Sequence, residues 1–223
     1  MLGHPKYTYK QRVKFKCNNK ELVGRIEIVD SYGTWGQNEE PSYDIYVEAN
    51  NTLYKHIRES WTLGLDNSND FKIIKITSKE QFEKPAKYFS NKWGVPLEAY
   101  LESMEESLTS PSGVPAWFYI EANNEVIAGL GIIENDFHKR KDLAPNICAV
   151  YVKEEYQKMG ISRHLLNFAC SHLKEHGIKD VYLITSHTQY YEKVGFDFIG
   201  EIEEDSGDMV RCYHRKTENK RIY

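Results

Sequence analysis

The stretch EEYQKMGISRHLL, residues 154–166, decides how the chain is read. It follows a mostly apolar run, NICAVYV (146–152), whose composition predicts a central strand, and it leads into a segment with helical periodicity. In that segment Ile161, Leu165, Phe168 or Ala169, and His172 or Leu173 share one face, while Arg163, Asn167, Ser171 and Lys174 lie opposite, and Gly177 closes it. A strand, a loop and a helix in that order leave free backbone N–H groups at the helix N-terminus, where the helix dipole also favours an anion. Gly160 lets a ligand approach the backbone, and Ser162 adds a hydroxyl where the helix begins. The spacing satisfies neither the P-loop pattern G-x-x-x-x-G-K-S/T nor the dinucleotide pattern G-x-G-x-x-G. The loop is therefore either an ordinary helix start or a phosphate cradle of another kind.

Working outward, FKIIKI (71–76) predicts a strand, SKEQFEKPAKYFSNKW and PLEAYLESMEESL predict two helices, and Pro85 sits in or kinks the first. PAWFYIEANNEVIAGLGIIEN predicts a hairpin with a tight turn. Beyond Gly177, KDVYLIT predicts a strand, SHTQYYEKVG a short helix, and FDFIGEI and MVRCYHRK two closing strands. Residues 70–217 thus read β-α-α-β-β-β-α-β-α-β-β, a mixed α/β domain. The preceding runs RVKFKC, LVGRIEIV, YDIYVEA and LYKHIRE alternate between turn-rich segments, which predicts a small antiparallel module of about five strands suited to an SH3-like barrel. GLDNSND (64–70) is the expected linker, so the expected domains are 1–65 and 66–223.

The 223 residues carry 29 basic and 33 acidic side chains, a net charge of -4, which provides no footprint for wrapping nucleic acid. Cys17, Cys148, Cys170 and Cys212 form no C-x-x-C pair, and the eight histidines show no ligand spacing, so neither a metal site nor a disulfide framework is expected. No run approaches the roughly 18 apolar residues of a membrane span, and the N-terminus has no apolar signal core. A reducing cytoplasm is the expected compartment. HKRK (138–141) reads as a solvated loop.

QKMGIS resembles the cofactor signature Q/R-x-x-G-x-G/A of the GNAT N-acetyltransferases, at Gln157, Gly160 and Ser162. Val152 matches the valine of the preceding V-x-P-x-x-R/Q, whose proline is replaced here by Glu154, and serine stands where glycine or alanine is usual. YYEKVGF (190–196) resembles the family's Y-E-K-x-G-F segment and falls in the expected order. GLGIIENDFHKRKDLAPNICAVYV looks like a bacterial subgroup of the family. The resemblance covers roughly residues 70–217 and not the first 65.

It implies a GNAT-type, mostly antiparallel sheet with flanking helices, and acetyl-CoA as co-substrate without a metal. The central parallel strands would splay apart, with the pyrophosphate on the backbone amides of Lys158, Met159, Gly160, Ile161 and Ser162, and Gln157 and Arg163 at the edges. Val150, Tyr151 and Val152 would pair with the pantetheine amides like an added strand. Tyr191 would be the general acid toward the leaving thiolate, with Tyr190 in the core. An amine of pKa about 10 is mostly protonated at neutral pH and needs a base, for which Glu134, Asp136 and His187 are candidates. The expected reaction is acetylation of a small amine by direct transfer in a ternary complex. The alternatives are a protein or peptide acetyltransferase whose β module recruits substrate, and a non-catalytic acyl-CoA binder. A homodimer is one admissible assembly. Of the module's aromatics, Tyr32, Tyr43, Tyr46, Tyr54 and Trp61 are expected mainly in its core, and the glycine-flanked Trp35 outside it, packed on the catalytic domain or overhanging the acceptor cleft.

Overall fold

The computed structural model describes residues 3–37, 39–66, 71–157 and 159–218. Four residues of the expected linker, 67–70, and Lys158 of the expected phosphate loop lie outside the described residues. The chain divides into two units, one of residues 1–70 with 154–160, the other of residues 71–153 with 161–223.

In the first unit, strands β1 (Arg12–Cys17), β2 (Lys20–Asp30), β3 (Ser42–Val47), β4 (Thr52–Arg58) and β5 (Thr62–Leu65) form an antiparallel sheet in the order β4-β3-β2-β1-β5. Asn18 and Asn19, both in the left-handed region at φ 50° and 60°, make the two-residue turn between β1 and β2, the conformation whose twist suits a hairpin. Alternation along β1 turns Val13 and Phe15 into a core shared with Ile26, Tyr43, Ile45, Val47 and Ile57. A 3-10 turn (Glu59–Trp61) joins β4 to β5, and no ladder links these strands among the described residues, so the sheet is not a closed barrel. The aromatics depart from expectation. Tyr43 is buried and Tyr54 packs against the core, but Tyr32 and Trp61 are exposed, as is Trp35 at 102%. The loops that carry these three leave the sheet, and a sheet of this size buries one layer of alternating side chains and no more.

The second unit has a seven-stranded sheet in the order β11-β12-β10-β9-β8-β7-β6. Its elements are β6 (Ile73–Lys75), α1 (Glu83–Trp93), α2 (Leu97–Ser107), β7 (Ala116–Ala122), β8 (Glu125–Ile133), β9 (Asn146–Val152), α3 (Ile161–Glu175), β10 (Asp180–Thr185), β11 (Asp197–Glu203) and β12 (Met209–Lys216). Pro85 lies in the first turn of α1, where its missing N–H removes no helical bond, so it does not kink the helix. The segment expected as a short helix, SHTQYYEKVG, contains only a 3-10 turn, Glu192–Val194, closed by Gly195 at φ 86°. Ten residues with Gln189 at φ 64° cannot hold an α-helical run.

Alternation along β7 separates the two faces of the sheet. Trp117 and Tyr119 join Phe89 of α1 and Tyr100 and Met104 of α2, whereas Phe118 meets Phe168 and His172 of α3. Gly129 and Gly131 of β8 make room for the first layer: a Cβ on Gly131 would lie 2.5 Å from Trp117, and one on Gly129 2.6 Å from Phe89. In α3 the buried residues include Leu166 and Cys170 beside the expected Ile161, Leu165, Ala169, His172 and Leu173, because the helix is covered over a wider arc than one stripe.

Candidate active site

All strand pairs of the large sheet are antiparallel except β9 with β10, and these two meet at a single pair, Tyr182 with Asn146. Beyond that point they part. The divergence has a local cause in β9: Gly131 pairs with Cys148 and Gly129 with Tyr151, so three steps on β9 face two on β8. The extra residue makes a bulge that bends the strand, and Ala149 adopts φ 53° within it. Lys153 N donates to Ile127 O at 2.8 Å, and the two-residue alternation of an antiparallel ladder then turns the amide of Tyr151 toward β8 and that of Val152 toward the open edge. Tyr88 of α1 reinforces this, its hydroxyl donating to the carbonyls of Ile127 (3.1 Å) and Tyr151 (3.2 Å). Of the three expected pantetheine partners, Tyr151 therefore spends its backbone on β8.

Gly160 is exposed at φ 79°, and nothing lies within 4 Å of where its Cβ would be, so the backbone there is open to a ligand. Ile161 and Met159 are buried, Gln157 is exposed, and Ser162 and Arg163 are half-buried. The Ser162 hydroxyl shares a hydrogen bond with the Tyr190 hydroxyl, and Arg163 Nη2 donates to Lys193 O at 3.4 Å. Tyr190 is thus half-buried and engaged at the helix start, a correction to its expected place in the core. Sequence reasoning had no signal for this, since its partner is 28 residues away.

Tyr191 is the buried member of the pair, 6% exposed and ringed by Tyr190, Phe196 and Tyr213 at 5.1, 5.9 and 5.7 Å between centroids. Burial raises its phenol above the ordinary range, the charges of Tyr190, Asp136 and Tyr213 raise it further, and a hydrogen bond with Thr185 opposes them. Asp136, half-buried in the loop after β8, is pushed up to about 7 by burial and by Glu204. The same carboxylate raises Tyr100 and Cys148, which with Tyr191 places it among α2, β9 and the 3-10 turn.

The flanks of Asp136 are tied down. Asp205 N donates to Phe137 O at 2.8 Å and Lys139 N to Glu203 O at 3.0 Å, fastening the loop to the β11–β12 turn. His138, fully buried, has Nε2 3.0 Å from Asn146 Oδ1 and Nδ1 3.1 Å from Asn135 Nδ2. An amide oxygen accepts, so Nε2 donates to Asn146, and the amide nitrogen of Asn135 lies against the ring. HKRK is accordingly no simple solvated loop, because its histidine is an internal strut. Glu134 and His187 are both exposed; Glu134 O accepts from Asn146 Nδ2 at 3.2 Å and His187 N donates to Thr185 Oγ1 at 3.1 Å. No hydrogen bond joins either to Tyr191 among the described residues.

A splayed parallel pair, a helix start, a buried phenol and a carboxyl pushed up by burial form a candidate active site. The profile of the Acetyltransferase (GNAT) family matches residues 79–196, more than half of the chain, and the chain belongs to that family. It is an acetyltransferase that uses acetyl-CoA. Its fold is similar to an aminoglycoside 6'-N-acetyltransferase solved with coenzyme A, at TM-score 0.53 and 13% identity over 68% of this chain and 100% of that one. It is also similar to yncA from Salmonella typhimurium with its cofactor acetyl-CoA, at 0.50 and 14% over 70% and 98%. A third, a variant of the spermidine N-acetyltransferase SpeG from Vibrio cholerae, gives 0.50 and 14% over 66% and 95%. No curated protein matches the sequence. The parting of β9 from β10 and the amides at the start of α3 suit the cofactor, and no cluster of metal ligands occurs among the described residues.

Proposed function

We propose that the protein transfers the acetyl group of acetyl-CoA directly to a primary amine of a small molecule in a ternary complex. The observation that carries this reading is Asp136, a carboxyl pushed up to about 7 and coupled to the phenol of Tyr191. Bound acetyl-CoA supplies an activated thioester, from which the acetyl group passes to nitrogen while the sulfur leaves as a thiolate. Asp136 takes the proton from the amine. A base near 7 facing an ammonium near 10 leaves a gap of about 3 pKa units, roughly 4 kcal/mol, which is small against an enzymatic barrier. Val150 of β9 holds the donor by strand-like pairing, and the amides at the start of α3 with the Ser162 hydroxyl hold its pyrophosphate.

Tyr191 serves the leaving sulfur as a hydrogen-bond donor. A thiol titrates near 8.5, well below this buried phenol, so full proton transfer from Tyr191 is uphill, whereas a donated hydrogen bond stabilises the departing charge without it. Glu134 and His187, exposed beside this region, fit contacts to the acceptor better than the role of base.

The acceptor class draws support from two fold relatives whose own substrates are named as an aminoglycoside and spermidine, both polyamines in chemistry. A protein or peptide acceptor is the second reading, favoured by the exposed Tyr32, Trp35 and Trp61 of the SH3-like module, with residues 1–65 recruiting and 66–223 catalysing. The four free thiols fit a reducing, cytoplasmic setting. A thiol-release assay with acetyl-CoA against polyamines, aminoglycosides and lysine peptides tests the proposal. Amine-dependent release with a small acceptor supports it, release with peptides alone transfers the assignment to the second reading, and none with any amine sinks both.

A further inference from the structure

We infer that Tyr190 is a positioning residue which couples occupancy of the pyrophosphate site to the placement of Tyr191. The inference rests on the reading of the α3 N-terminus as the pyrophosphate site, and its own evidence is the pair of links between that helix start and the segment carrying the phenol. Ser162 and Tyr190 share a hydrogen bond through their hydroxyls. One residue further along α3 and three further along the other segment, Arg163 Nη2 donates to Lys193 O at 3.4 Å. Tyr190 in turn meets Tyr191 edge to face, with centroids 5.1 Å apart and planes at 81°. The α3 start and the 190–194 segment follow β9 and β10 respectively, the two strands that part company, so these links span the gap in the sheet.

The direction of the shared hydrogen bond is free when no anion is present, since either hydroxyl can donate. A phosphate oxygen changes that, because an ionised phosphate only accepts. Ser162 then donates outward to phosphate and must accept from Tyr190, giving a chain in which each bond polarises the next. The bond from Tyr190 is strengthened when the site is filled, and the segment that carries Tyr191 is held against the helix at the moment the thioester arrives. Arg163 and Ser162 already favour charge on the Tyr190 oxygen, partly offsetting its burial, so this oxygen sits in a field set by the helix start.

The test compares two donors, acetyl-CoA and S-acetylpantetheine, which lacks the pyrophosphate. Tyr190→Phe and Ser162→Ala are each expected to raise KM for acetyl-CoA about fivefold and lower kcat about threefold, the range of one net hydrogen bond, with the double variant no worse than either single. With S-acetylpantetheine the losses in both variants should be clearly smaller than with acetyl-CoA, a selectivity that a merely structural role of Tyr190 would not produce. Wild-type constants for Tyr190→Phe, additive losses in the double variant, or equal losses with both donors would overturn the inference. Wild-type protein that uses the two donors equally well would overturn the pyrophosphate reading itself, and this inference with it.

Discussion

Asp136 lowers the stability of the protein above neutral pH. Its carboxyl is held near 7 in the folded chain against about 3.9 in an unfolded one, so between those values the folded state retains a proton that the unfolded state has released. Stability from this group is therefore full at low pH and falls as pH rises through 7. Asp136→Asn should unfold at higher temperature than wild type at pH 8, by a free energy on the order of 1–4 kcal/mol, with the difference closing near pH 4. The same variant should lose about 10²–10⁴-fold in kcat and should lack the rise of kcat/KM through pH 7 that a base of this pKa produces. Equal thermal midpoints at pH 8 would show that the carboxyl is not desolvated. Tyr191→Phe keeps the ring packing with Phe196 and Tyr213 and removes only the hydroxyl. It should lower kcat about 10²-fold with little change in the affinity for CoA, measured by calorimetry, because the lost hydrogen bond matters chiefly as charge develops on sulfur. His138 was opaque to sequence reading for a simple reason: its partners Asn135 and Asn146 complete its network only after β8 and β9 have paired.

At the scale of elements, the bulge in β9 and the start of α3 shape the part of the sheet where β9 and β10 diverge. Gly160 has room around it but a left-handed backbone, and the two facts have separable consequences. Gly160→Val should cost about 1–2 kcal/mol of stability through its φ, read in denaturant unfolding. It should also raise KM for acetyl-CoA by at least tenfold through the side chain now standing in the approach. Loss of stability without loss of donor affinity would mean that nothing approaches the backbone there. The element order from residue 70 was legible almost to the residue, since periodicity and turn chemistry are local properties, as in NICAVYV and the Asn-Asn turn at 123–124. The bulge at Ala149 was not legible, because alanine carries no preference for φ 53° and the conformation is imposed by the pairing of Cys148 and Tyr151 with β8. SHTQYYEKVG misled for the converse reason: its residues tolerate a helix, but the chain must cross from β10 to β11 while presenting Tyr191, and one 3-10 turn accomplishes that.

For the molecule as a whole, pH acts through opposing groups. His172 of α3 is buried, and burial lowers its pKa, assisted by Lys75 and His176, while its hydrogen bond to Gly113 O (2.9 Å) and the charge of Glu175 oppose the shift. A histidine depressed in the folded state contributes stability above the unfolded value of about 6.5 that is lost as pH falls below it. His172 therefore opposes the gain that Asp136 brings as pH falls from 7 toward 4, and His172→Gln should raise the thermal midpoint relative to wild type on the acid limb below pH 6.5 while leaving the Asp136 contribution unchanged. An unchanged acid limb in the variant would assign it to other groups. The amino-acid sequence by itself determined all but one of the strands and helices of both units, and the family, because each is written in short-range spacing: alternation, three-and-four periodicity, and the six residues of QKMGIS followed by YYEKVGF. Only the tertiary structure decided which carboxyl among Glu134 and Asp136 is desolvated, which of two adjacent tyrosines is buried and which reaches Ser162, and where the sheet opens. Burial, field and strand divergence are properties of groups brought together from distant parts of the chain, and no local pattern encodes them.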